Sequence, residues 1–121
     1  MRRATLRAAM TAIQAYERDL SRHLLTGLAA LPRFQVWGIT DPERLGQRVP
    51  TVSVTVPGTS AETLARQLAE KEIYAWNGNM YAVNLSERLG VEPAGGFLRL
   101  GLVHYNTHAE IDTVLQALAA M

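Results

Sequence analysis

The sequence predicts an α/β fold, a two-layer sandwich in which helices cover a small sheet of about four strands. Three observations carry that expectation. Leu6, Met10, Ile13, Tyr16 (or Glu17), Leu20, Leu24, Leu28 and Leu31 recur at helical spacing without a break. The run TVSVTV at 51–56 alternates strictly in β-branched residues. Two boxes of the form Thr-x-x-Glu, Thr59 to Glu62 and Thr107 to Glu110, stand where a helix would open after an apolar run.

Taken in order, a long amphipathic helix covers about residues 2–30 and stops before Pro32. Residues 33–38, RFQVWG, read as a short strand, and ITDPERLGQRVP as a polar loop with two prolines. The strand 51–56 is broken by Pro57-Gly58. The first box then starts a helix to about Lys71, with Leu64, Ala65 and Leu68 turned inward. IYAW, 73–76, predicts a strand and Asn77-Gly78-Asn79 a tight turn. A short helix with Ala82, Leu85 and Leu89 on one face follows, capped by Gly90. Pro93 to Gly96 is a loop. In the strand FLRLGLV, 97–103, Leu98, Leu100 and Leu102 fill one face, while Arg99 shares the other with Phe97, Gly101 and Val103. The final helix opens at the second box and turns Ile111, Val114, Leu115 and Leu118 inward.

Composition narrows the function. The chain has 121 residues, 48% of them hydrophobic, enough for one domain with a real core. A net charge of +1 gives no footprint for nucleic acid or an acidic partner. Without cysteine there is no disulfide, no thiolate metal site and no thiol nucleophile; a disulfide-free domain fits the cytoplasm. No apolar run approaches the roughly 20 residues a membrane span needs. Arg2, Arg3 and Arg7 precede the first acid, Glu17, as in some targeting peptides, but the unbroken helical spacing reads better as part of the fold.

Candidate chemistry is sparse. His104 and His108, with Glu110 nearby, straddle a strand end and a helix start, which loses the one-face geometry of a helical metal pair. Lys71, the only lysine, sits at a solvated helix end, where nothing lowers its pKa for Schiff-base chemistry. Gly78, Gly95 and Gly96 match no phosphate-binding loop, and Ser53, Ser60 and Ser86 lie in no nucleophile elbow. Arg99 is the exception. A guanidinium on a strand needs an anion or an exit to water, and Gly101 beside it leaves space. Its partner is either a bound carboxylate or a structural one, Glu92 or the chain end.

Three segments in order carry a resemblance: AAMTAIQAYERDLSRHLLTGLAALPRFQVWGITD, RVPTVSVTVPGTSAETLARQLAEKEIYAWNGNMYAVNL and LRLGLVHYNTHAEIDTVLQAL. They resemble the C-terminal part of class V aminotransferase-fold proteins, and within these the cysteine desulfurase-like branch. The likeness spans essentially the whole chain. Its most specific part is the end: the strand arginine, HYNT and IDTVLQAL.

The resemblance implies the small domain of a fold-type I enzyme, with a mostly antiparallel sheet and helices on one face. It implies pyridoxal 5'-phosphate in the complete protein, held by a large domain upstream that is absent here. This chain alone would bind no cofactor and be inactive. The complete protein would be a homodimer acting on an amino acid, and Arg99 would bind the substrate α-carboxylate, for which its planar fork is suited. One departure limits the reaction. Tyr81 stands about where one branch carries the catalytic cysteine, so a persulfide route is replaced by lyase, epimerase or aminotransferase chemistry. The alternative is a free-standing α/β module that binds a small anion or a protein partner.

Overall fold

In the computed structural model, which describes residues 1–121, the long helix α1 runs from Arg2 to Ala29. Its apolar stripe is continuous, but only the second half is covered. Leu20, Leu24, Leu25 and Leu28 are buried, whereas Leu6 is 56% and Met10 60% exposed. Length explains the difference. Twenty-eight residues extend about 42 Å at 1.5 Å each, well beyond a five-residue strand.

After α1 come β1 (Gln35–Trp37) and a 3-10 helix, Pro42–Gln47. That helix replaces the expected loop: the Asp41 carboxylate accepts from the Glu43 amide and Leu45 is buried. Then follow β2 (Thr51–Thr55), α2 (Ala61–Ala69), β3 (Trp76–Gly78), α3 (Val83–Arg88), a 3-10 turn at Glu92–Ala94, β4 (Phe97–Gly101) and α4 (His108–Ala119). All strand pairings are antiparallel, in the order β1-β2-β4-β3.

The pleat sorts the two faces. Val52 and Val54 of β2 lie opposite Leu100 and Leu98 of β4. Together they form the sheet side of the core, against Leu20, Leu24 and Leu28 of α1, Leu64 and Leu68 of α2, and Ile111 and Leu118 of α4. Four buried leucines and valines on the sheet alone remove apolar surface worth roughly 1.5–3 kcal/mol each from water. Gly27 lets α4 approach α1, because a Cβ there would stand 2.2 Å from the Leu115 side chain.

Several local expectations shift. The α2 cap is Ser60, whose hydroxyl accepts from the Thr63 amide; Glu62 instead pairs with Arg66 at 2.6 Å. Thr107 and Glu110 form the expected reciprocal box at α4, of which Ile111, Ala117 and Leu118 are buried while Val114 and Leu115 are half-buried. Residues 73–75 stay outside the sheet, because Glu72 takes a left-handed φ of 59° and the chain first meets β4 at Trp76. Asn77 and Gly78 are thus strand, and the turn moves to 79–82. Leu85 of α3 and Leu89 at its C-terminal cap are exposed and Ser86 is the buried residue, since the helix lies beside the Glu92 turn rather than on the core. No helix is long and apolar enough to cross a membrane.

Candidate functional site

Arg99 lies on the sheet face away from the helices. The register places Ser53 directly opposite it on β2 and Trp76 directly opposite it on β3. Trp37 of β1 pairs in turn with Ser53. One row therefore crosses all four strands: indole, hydroxyl, guanidinium, indole. Neighbouring members stand about 4.5–5.5 Å apart at Cα.

The flanks of the row differ. The Trp37 indole N–H donates to Thr55 Oγ1 at 2.9 Å, and its ring meets Phe97 edge to face at 5.9 Å. That packing leaves Phe97 buried on an otherwise open face. Trp76 is 67% exposed. No side-chain hydrogen bond within the chain uses Ser53, Trp76 or Arg99, and none of the five ion pairs includes Arg99. A Cβ at Gly101 would meet nothing within 4 Å, so the space next to Arg99 on its own strand is open.

Neither Glu92 nor the chain end pairs with Arg99. Glu92 accepts from the Ser86 hydroxyl and, at 3.0 Å, from the Asn79 amide. These bonds, Ser86 first, hold its carboxyl below the usual range. The chain end follows α4 in the helix layer, where Met121 packs on the core. Arg48 shows what a structural arginine looks like here. Its fork donates to the carbonyls of Ile39 and Thr51 and ties the 3-10 segment to β2.

Tyr81 sits on a strained turn. Met80 and Tyr81 both take left-handed φ values, 54° and 65°, which are uncommon for residues with a side chain. Asn79 holds the turn: its Oδ1 accepts from the Tyr81 amide at 3.1 Å and its carbonyl from the Ala82 amide at 2.8 Å. The Tyr81 side chain projects fully into solvent.

The remaining candidates are dispersed. His104 Nδ1 lies 3.5 Å from Glu17, and His108 Nε2 lies 3.0 Å from Asp19, so both histidines join α1 to the segment around the start of α4. Glu110 is held in the α4 cap, where the Thr107 amide, then Asn106 and the Thr107 hydroxyl, lower its pKa. Lys71 is exposed in the turn after α2, at the rim of a cleft of about 400 Å³ that also includes Ile73, Leu102 and Val114. Gly96 is buried against the backbone of Gly78, Ser86 is the buried residue of α3 and Ser60 caps α2. Sequence reasoning found Arg99 but missed its neighbours Ser53, Trp37 and Trp76. Alternation assigns each to a strand face; only the pairing register brings them together.

Known proteins of similar sequence and shape show the family of the chain. The chain is 34% identical over 111 residues to an aminotransferase-like protein of Gibberella zeae, covering 88% of this chain and 27% of that one. It is 32% identical over 111 residues to a probable cysteine desulfurase of Synechocystis sp., covering 92% and 25%. The apo structure of a cysteine desulfurase from Thermococcus onnurineus NA1 superposes with a TM-score of 0.83 at 25% identity, over 98% of this chain and 28% of that one. The chain thus spans about a quarter of the length of the relatives it matches. The family pattern described as aminotransferase class-V matches residues 4–114, and the chain belongs to that family.

Proposed function

We propose that this chain is the small C-terminal domain of a pyridoxal-phosphate-dependent, cysteine desulfurase-like protein, in which Arg99 binds the α-carboxylate of an amino-acid substrate. The observation that carries the proposal is the unpaired Arg99 guanidinium on an open sheet face, with its candidate intrachain partner Glu92 already bonded to Ser86 and Asn79. A fork of parallel N–H donors is complementary to a carboxylate and forms charge-assisted bonds with it.

The residues of this chain do not fit the cofactor itself. Lys71, the only lysine, is exposed in a solvated turn, and no glycine-rich loop cradles a phosphate. In this reading a large domain supplies the cofactor site, the complete protein is a cytoplasmic homodimer, and the 121 residues alone are inactive. With no cysteine in the chain, sulfur is not carried here as a persulfide, which leaves lyase, epimerase or aminotransferase chemistry.

Nuclear magnetic resonance titration of the chain with an amino acid, and with the corresponding amino-acid amide, tests the proposal. The carboxylate is expected to shift the Arg99 side-chain and strand 97–101 signals saturably; the amide, and the Arg99→Ala variant, are expected to show no such shift. Equal response to acid and amide would overturn it. In an assembled enzyme, loss of a bond worth about 1.5–3 kcal/mol lowers kcat/KM roughly 10- to 150-fold, and Arg99→Lys restores only part of that.

A further inference from the structure

On the β3 side, the residue directly opposite Arg99 is Trp76. The two residues are directly opposed on adjacent antiparallel strands and rise from the same face. Their Cα atoms are therefore about 4.5–5.5 Å apart, less than the length of either side chain. Trp76 is 67% exposed, and no side-chain hydrogen bond or ring contact within the chain engages it. Trp37, at the other end of the row, is different: its N–H is bonded to Thr55 and its ring is packed on Phe97. A macromolecular surface seated on Trp76 would also bury the neighbouring guanidinium. A small carboxylate, by contrast, satisfies both groups at once.

Resting on the carboxylate-binding role of Arg99, we infer that Trp76 is the specificity-determining residue of that site, its indole face forming a wall that selects carboxylates with a bulky apolar or aromatic side chain. Ser53, on the opposite flank, offers a hydroxyl to the same carboxylate. The row thus holds a charged head at its centre and an apolar body toward the β3 edge. A small polar side chain such as that of cysteine would leave the indole uncovered. Covering the indole with one face of a phenyl ring, roughly 60 Å² of apolar surface, is worth a factor of about ten in affinity.

The chain has two tryptophans, so two indole N–H resonances report the site, and the Trp76→Phe variant assigns them. The probes are acetate, 3-phenylpropionate and the neutral 3-phenylpropionamide. The expected result is that 3-phenylpropionate binds about tenfold more tightly than acetate and shifts the Trp76 indole signal. Trp76→Ala is expected to abolish that preference, while the acetate binding that is left still depends on Arg99. Arg99-dependent binding with equal affinities for the two acids, or a preference that survives Trp76→Ala, overturns the role of Trp76 and leaves the Arg99 reading standing. Equal, Trp76-dependent binding of acid and amide overturns the Arg99 reading instead. No binding of either acid overturns both.

Discussion

Replacing Gly96 by alanine tests the contact that positions β3, and with it Trp76, beside Arg99. Gly96 has a φ of 80°, and a Cβ there would stand 2.4 Å from the carbonyl carbon and oxygen of Gly78 and 2.8 Å from the Asn79 nitrogen. All three atoms are backbone, so no side-chain rotation relieves the collision. Gly95, its neighbour, has nearly the same φ, 79°, but a Cβ there meets nothing within 4 Å. The pair therefore separates conformation from contact. A left-handed alanine costs about 1–2 kcal/mol, of which about 0.4–1 kcal/mol is offset by the stiffer unfolded chain, so Gly95→Ala is expected to lose about 1 kcal/mol. Gly96→Ala adds about 1–3 kcal/mol for displaced backbone, for a total of about 2–4 kcal/mol. At about 4 °C per kcal/mol for a domain of this size, thermal unfolding followed by circular dichroism should show drops of about 4 °C and about 8–16 °C. A Tm for Gly96→Ala equal to that for Gly95→Ala would refute the close approach of the two backbones, and with it the position of β3.

Three further outcomes follow from contacts in the fold. Thr107→Ala removes the α4 cap and should lower unfolding free energy in urea by about 1 kcal/mol, while Thr59→Ala, one residue before the true cap Ser60, should change it by less than about 0.5 kcal/mol. Glu92 and Glu110 are both held below the ordinary carboxylate range, so on acidification the unfolded chain takes up their protons first. Their contribution is present above about pH 4.3 and is lost as pH falls through the native values, and a Ser86→Ala, Glu110→Gln double variant should flatten the acid limb of a stability profile. Leu24→Ala, at a fully buried position, should cost about 2–5 kcal/mol, whereas Leu6→Ala on the same helical stripe should stay within about 0.5 kcal/mol; equal losses would place the first half of α1 in a buried environment.

Elements set by local rules were legible in the sequence. The β2 alternation, the α4 capping box and the stop of α1 before Pro32 each depend on a few adjacent residues. Errors arose where tertiary contacts outvoted the local pattern. Asn77-Gly78 reads as a turn, yet the pairing with Phe97 and Leu98 draws it into β3. Leu85 and Leu89 read as an inward face, yet the Glu92 carboxylate captures Ser86 and turns that side of α3 inward. At the candidate site, alternation was enough to set Arg99 apart from the core leucines. Its neighbours were not legible, because a cross-strand row is a property of register, and register joins residues far apart in sequence.

The central pairing of β2 with β4 has a kinetic consequence. Thr51 meets Gly101 and Val54 meets Leu98, so the middle of the sheet is closed by contacts more than forty residues apart. Each outer strand, by contrast, joins a partner nearer in the chain: β1 to β2, and β3 to β4. The sheet thus consists of two local units, and the closure entropy of the long intervening segment falls on the pairing that joins them. Ser53 travels with the first unit and Arg99 with the second. The row of Trp37, Ser53, Arg99 and Trp76 is complete in neither unit alone; the pairing of β2 with β4 completes it.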